Sequence, residues 1–257
     1  IHSVDPIERR YAADHRARID FRNGDRPWFL LGSDALGRDV LSRVLEGARL
    51  SLGVALLATA LALAIGALAG AVAGYMGGWL DALLMHGADF ILVLPTMYVA
   101  LALRGALPNV LGSAAMFVAL AAVLALVGWP SAARGVRGIV STERHSEYAE
   151  AARALGASSW RVIWHHLLPS TRGFLIVQAI VLLPVFVVAE ATLSFVGLGF
   201  APPAASWGSM LRDAASAQVA ADTPWLLAPA AAIVLVVLVV HTASAKAASI
   251  PESYLGD

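Results

Sequence analysis

The seven histidines and eighteen carboxylates of this 257-residue chain form no H-E-x-x-H pair, no Gly-x-Ser-x-Gly elbow and no phosphate-cradling P-loop. Cysteine is absent, which excludes thiolate nucleophiles, thiolate metal sites and disulfides together. No catalytic residue and no metal ligand set is assigned, and a chain without a P-loop cannot hydrolyse ATP itself. The residues able to do work lie in three other places. Residues 147–169 form a polar, Arg-containing insert between strongly apolar segments. Residues 194–208 cluster Gly, Pro and Trp207, breaking helix into a shaped loop with Ser194 at its start. Glu190 stands inside an apolar run, where an ionisable group is costly and either lines a pathway or hydrogen-bonds a neighbouring helix. His86 and Asp89 fall near the inner end of another apolar run and read as interfacial, while Arg104 is expected to snorkel at an outer end.

The elements that must position these groups follow from composition. At 59% hydrophobic residues, 14% charged residues and a mean hydropathy of +0.73, the chain is a polytopic membrane protein. Five spans are readable: 50–80, which holds no charge, then about 83–103 with Pro95 inside, 114–129, 174–195 and 225–240. Pro95, Pro184 and Pro229 are each expected to kink their spans. Gly66, Gly70 and Gly74 recur at four-residue spacing and favour close helix packing within the subunit over a dimer contact. Formal net charge is zero and the pI is near 7.3, so nothing points to nucleic acid.

Residues 131–172 hold six Arg against three Glu, whereas 197–224 hold one Arg against two Asp, which places the first loop inside and the second outside. Counting backward puts residues 1–49 on the outer face. That arm carries nine Arg against eight acidic residues, and an absent upstream span would explain its translocation. The expected divisions are therefore an outer-face amphipathic arm (1–49), a transmembrane domain (50–243) that includes the 131–172 loop, and a carboxyl tail (244–257).

Within the insert, Tyr148, Ala151, Ala152 and Leu155 fall at i, i+3, i+4 and i+7 and share one helical face of mostly small side chains. Ser146 suits an N-cap, Glu147 and Glu150 favour the helix start, and Gly156 suits a left-handed C-cap. Ser158 or Ser159 then caps a second helix in which Trp160, Ile163, Trp164 and Leu167 repeat the spacing before Leu168 and Pro169. Spacing alone leaves two readings open, a hairpin lying on the membrane surface and one docking into a partner's groove. Leu36, Val40, Val44 and Ala48 likewise line one face of an interfacial helix leading into the first span.

The order Glu150-Ala151-Ala152, Gly156, Leu168-Pro169 resembles the cytoplasmic coupling motif of the permease subunits of ATP-binding cassette importers, with His166 departing from the usual aliphatic residue. Leu31-Gly32-Ser33-Asp34-Ala35-Leu36-Gly37-Arg38-Asp39-Val40-Leu41-Ser42-Arg43, followed by Glu46-Gly47-Ala48-Arg49, resembles the signature before a span in the second permease subunit of dipeptide, oligopeptide and nickel importers. Ser194-Phe195-Val196-Gly197-Leu198-Gly199, Pro202-Pro203 and Ser206-Trp207-Gly208 resemble the same family's outer loop. The resemblance implies an all-α importer permease bundle with a coupling-helix hairpin in a bacterial or archaeal inner membrane. It further implies a homologous second permease, two ATPase subunits that hold ATP and Mg, an extracytoplasmic solute-binding protein, and small peptides as cargo. A nickel-chelate importer of the same family is the alternative, as is a non-transporting scaffold whose hairpin recruits a partner. The carboxyl end, T-A-S-A-K-A-A-S-I-P-E-S-Y-L-G-D, departs from the family's charged tail and is assigned no role.

Overall fold

The structure is a computed structural model that describes residues 29–34, 36–106, 112–200, 202–215 and 223–248. The proposed upstream span and most of the amino-terminal arm lie outside the described residues, as does the tail beyond Ala248. Helices carry the architecture. They are α1 (Val40–Met76), α2 (Gly78–Val93), α3 (Thr96–Gly105), α4 (Ser113–Glu143), α5 (Glu147–Ala154), α6 (Ser159–Val162), α7 (Leu168–Ser170), α8 (Arg172–Phe195), α9 (Trp207–Asp213) and α10 (Ala228–Ala248). Extended pairing among the described residues is confined to one bridge, Ser33 with Asp39.

α1 begins ten residues before the expected span, because Asp39 caps it by accepting from the backbone N–H of Leu41 and Ser42. The interfacial helix and the first span are thus one rod of roughly 55 Å, longer than the ~30 Å hydrocarbon layer. Leu36 lies before the helix, in the turn that Asp34 organises by accepting from the N–H groups of Leu36 and Arg38 at 2.9 Å each. At its other end α1 stops at Gly77, where two successive left-handed glycines (Gly77 φ +64°, Gly78 φ +63°) reverse the chain into α2.

The expected second span is two helices meeting at 95° around Pro95, a break rather than a kink. The third helix does not end at Trp129. It runs through a buried Pro130 to Glu143, taking Arg134 and Arg137 with it. Pro184 lies inside α8 as expected, but Pro229 occupies the first turn of α10, where no intrahelical donor is lost. Arg104 does not snorkel. It is 2% exposed, and among the described residues its Nε and Nη1 have no hydrogen-bond partner.

α1 and α4 form the spine. A Cβ on Gly66 would lie 2.6 Å from the Ala132 Cβ, one on Gly70 2.4 Å from the Ala133 carbonyl oxygen, and one on Gly74 2.7 Å from the Arg137 carbonyl oxygen. The glycine ladder is therefore an internal zipper in which two backbones touch. α8 closes the core through Leu182, Phe186, Val187 and Leu193 against Val54, Leu120 and Leu124. α10 contributes little to that core, and Val234, Leu235, Leu238 and Val239 remain exposed.

Candidate coupling hairpin and the loop at the opposite end

The hairpin grows directly out of α4. After Glu143 the chain turns through Arg144 and Ser146, and α5 starts with Glu147 and Glu150 in its first turn, where carboxylates complement the helix dipole. Ser146 occupies the N-cap position, yet its hydroxyl donates to the Glu143 carbonyl at 2.6 Å instead of capping α5. Helix α5 ends in a Schellman motif: Gly156 has φ +83°, Ala157 N–H donates to the Ala152 carbonyl at 3.0 Å, and Gly156 N–H to that of Arg153 at 2.9 Å.

The face expected to be shared by four residues is divided. Ala152 packs inward beside the fully buried Ala149, in a cluster with Val136, Val140, Val162, Ile163 and Leu167. Tyr148, Ala151 and Leu155 point away from the chain, Leu155 being 88% exposed, with Glu147 and Glu150 also exposed. Tyr148 donates to a Glu143 carboxylate oxygen at 2.7 Å, and burial, then this contact, raise its pKa above the usual phenol value. Leu168 packs on the inner cluster and Pro169 is half-buried.

The second helix is less regular than its spacing suggested. Ser158 caps α6 by accepting from Arg161 N–H at 3.4 Å, but residues Ile163–Leu167 form a π turn closed by Leu168 N–H on the Ile163 carbonyl. Pro169 supplies the physical reason, since it lacks the donor for an ordinary α turn and its ring crowds the carbonyl four residues back. The wider turn keeps Ile163 and Leu167 buried while Trp160 and Trp164 stack outside, ring centroids 5.8 Å apart.

Three contacts that the sequence did not announce tie α4, the helix from which the hairpin grows, to the rest of the bundle. Arg144 donates from Nη1 to the Gly74 and Tyr75 carbonyls at 3.3 and 3.1 Å, satisfying the end of α1. Arg137 binds Asp81 through two hydrogen bonds, 2.8 and 2.6 Å, and Arg134 pairs with Asp89, so α2 is fastened to α4 by two ion pairs one helical turn apart on α4. His86 and Asp89 thus lie on the α2–α4 seam, Asp89 in an ion pair rather than merely at an interface. Their signal was the 3-residue spacing of Arg134 and Arg137, which only a continuous helix makes meaningful.

At the far end of α1 the two signature stretches meet. The Leu31-to-Asp39 stretch is a tight turn held by Gly32 (φ +72°) and Gly37 (φ +77°), by Trp225 Nε1 donating to the Ser33 carbonyl at 3.1 Å, and by Arg38 and Arg43 on Asp34 at 2.8 and 2.5 Å. The second stretch leaves α8 by another Schellman turn at Gly197 (φ +95°), then folds α9 back onto the bundle. Ser206 and Ser209 cap α9 reciprocally. Trp207 is not a loop-surface residue: it is 3% exposed, donates from Nε1 to the Val44 carbonyl at 2.9 Å and from its backbone N–H to Ser51 Oγ at 3.1 Å. Gly208 permits the approach, since a Cβ there would lie 2.1 Å from the Ala191 carbonyl oxygen.

Glu190 and Ser194 sit beneath this helix. Ser194 Oγ donates to Glu190 Oε1 at 2.6 Å, the side chains of Ser51 and Ser206 also interact with the carboxyl, and among the described residues Oε2 has no hydrogen-bond partner. Glu190 is fully buried among α1, α8 and the cap of α9, so it joins helices within the subunit and lines no open surface of it.

Comparison with known proteins bears on both ends of the molecule. Residues 62–247 match the family model described as the binding-protein-dependent transport system inner membrane component. A putative peptide permease protein of Brucella ovis is 39% identical over 215 residues, 83% of this chain and 68% of the relative. The dipeptide transport system permease protein DppC of Alkalihalophilus pseudofirmus is 38% identical over 212 residues, 82% of this chain and 66% of the relative. The glutathione transport system permease protein GsiD of Shigella flexneri is 40% identical over 211 residues, 82% of this chain and 67% of the relative. With its long apolar helices, its hairpin and these matches, the chain belongs to the inner membrane components of binding-protein-dependent transport systems, as a multi-pass permease subunit of an ATP-binding cassette importer.

Proposed function

We propose that the chain moves small peptides across the inner membrane by alternating access, driven by separate ATPase subunits that carry ATP and Mg and dock on α5. The observation carrying this reading is the hairpin's two-sidedness. Its inner face is locked to α1 and α4 through Ala149, Val162 and Arg144, while Ala151 and Leu155 project outward and Tyr148 stays exposed beside them with its hydroxyl on Glu143. A push on α5 is therefore delivered to the two longest helices of the bundle, which in turn hold α2 by the Asp81 and Asp89 ion pairs. Small side chains at Ala151 and Ala152 allow close approach, and Glu147 and Glu150 offer carboxylates to a basic groove.

The cargo follows from the relatives, which are named for peptide, dipeptide and glutathione transport. The hairpin end faces the cytoplasm in this proposal, on the Arg excess of residues 131–172, and the Val40 end faces outward. A homologous second permease and an extracytoplasmic binding protein complete the assembly. The test is peptide uptake into proteoliposomes holding both permeases and the ATPase subunits, with ATP inside or outside and with Glu150→Lys. Uptake that requires ATP and fails in the variant, while the two permeases still co-purify, supports the reading. Uptake without ATP, or undisturbed by Glu150→Lys, would refute it.

A further inference from the structure

Exposed charge on a membrane helix must face water or another protein, because hydrocarbon does not solvate it. Glu190 and Arg104 meet that rule by burial. Asp81, Asp89, Arg134 and Arg137 do not: they stay partly exposed on the α2–α4 seam, where with Met85 and His86 they line an open cavity of about 440 Å³. The seam begins at the inner boundary of the membrane. From Ser113 to Arg134 α4 runs about 31 Å, which reaches the edge of a ~30 Å hydrocarbon layer. From Asp81, in the first turn of α2, to Asp89 the chain climbs about 12 Å toward the 95° break at Pro95. A broken helix at membrane depth is tolerated where protein covers it or water borders it, and Pro95 is exposed. The charges and the break therefore mark the same side of the subunit.

The two ion pairs of the seam differ. The Asp81 side chain is only 17% exposed and takes two hydrogen bonds from Arg137, which fastens α2. Arg134 and Asp89 are 52% and 46% exposed, and Nε and Nη2 of Arg134 both donate to the same oxygen, Asp89 Oδ1. Among the described residues Asp89 Oδ2 accepts no hydrogen bond and Arg134 Nη1 donates none. A free carboxylate oxygen and a free guanidinium donor thus stand side by side at an open cavity. We infer that this seam is the inner mouth of the peptide path and a subsite for zwitterionic peptides, in which Asp89 takes the terminal ammonium and Arg134 the terminal carboxylate. The inference rests on the peptide reading proposed above. Both signs in one cavity fit a cargo that carries both. A half-exposed ion pair is weakly held, so a passing peptide shares its partners and leaves again, as conduction requires.

The experiment measures binding of trialanine, its carboxyl-terminal amide and its N-acetyl form to the complete transporter in nanodiscs. Saturation-transfer NMR titrations are run without the solute-binding protein, which would impose its own selection. Wild type should bind the free peptide about three- to five-fold more tightly than either blocked form. Arg134→Gln should abolish discrimination against the amide and keep that against the acetyl form, Asp89→Asn should do the reverse, and Arg134→Lys should restore the wild-type pattern. Loosening of α2 alone would weaken all three peptides together and does not give this crossed pattern. A wild type that binds the three forms alike, or variants that shift them in parallel, overturns the subsite. His86→Cys should react with an aqueous maleimide in the assembled transporter, and shielding there overturns the open mouth in favour of a contact with the second permease. ATP-driven uptake of trialanine, with the binding protein added, separates this inference from the reading beneath it. Uptake with uniform binding strikes the subsite alone, whereas no uptake strikes the peptide reading and the subsite with it.

Discussion

Replacing Gly156 separates backbone strain from crowding at the proposed docking face. The residue has φ +83°, and no atom lies within 4 Å of where its Cβ would be, so within the chain the cost is purely conformational. A left-handed residue with a Cβ costs about 1–2 kcal/mol, and a β-branched one at the upper end of the ~1–3 kcal/mol range for such strain. α5 has eight residues, too short to persist alone, and only Ala149 of it is fully buried. A loss of ~2 kcal/mol changes the ratio of formed to unformed turn by roughly thirty-fold. Gly156→Asn tolerates the left-handed region and should stay near wild type, Gly156→Ala should be intermediate, and Gly156→Val should lose ATPase association and peptide-stimulated hydrolysis. The assay is ATPase stoichiometry and hydrolysis of purified complexes, with co-purification of the second permease as the control for insertion. Full stoichiometry and uptake in Gly156→Val would refute the reasoning. An Asn variant as damaged as the Val one would assign the effect to bulk in the groove instead of to the backbone.

Three further outcomes follow from the packing. Gly70→Val forces α1 and α4 apart, because its Cβ would be 2.4 Å from the Ala133 carbonyl oxygen, and should lower the thermal midpoint in detergent; Gly87→Ala, with nothing within 4 Å, should not. Trp207→Ala should cost about 3–5 kcal/mol as a buried aromatic deletion, so the thermal midpoint should drop together with uptake; an unchanged midpoint would return Trp207 to a surface role. Asp81→Asn weakens one α2–α4 ion pair and should increase protease or hydrogen-exchange access at residues 78–89 while leaving ATPase association intact, and unaltered exchange would show that the pair does not hold α2.

The elements that were legible in the sequence are those where a local rule and the tertiary structure agree. Gly156 ends a helix for reasons contained in four or five residues, and the glycine ladder of α1 states its own packing. The misread elements depend on distant partners. The apolar run of 114–129 stops short of the end of α4, which continues to Glu143 with Arg134 and Arg137 paired to Asp89 and Asp81 of α2. The start of α1 was divided at Arg49 because charge suggested a boundary, whereas Asp39 begins the helix. Arg104 follows the snorkelling rule in its position near a helix end but not in its burial. Trp207 looked like a loop residue because Gly and Pro surround it; its carbonyl partner on Val44 and the glycine that admits it, Gly47, are about 160 positions earlier.

The central claim, that α5 presents its outer face to an ATPase subunit while its inner face stays locked to the bundle, is tested most directly by cysteine cross-linking. These 257 residues contain no cysteine, so single substitutions within them give a distinct signal. Ala151→Cys and Leu155→Cys lie on the exposed face and Ala149→Cys on the buried one. The account predicts that the first two cross-link to the ATPase subunit in the assembled transporter, with a yield that changes when ATP is added, and that Ala149→Cys does not. Cross-linking at Ala149→Cys, or none at Ala151→Cys and Leu155→Cys in complexes of full ATPase stoichiometry, would contradict it.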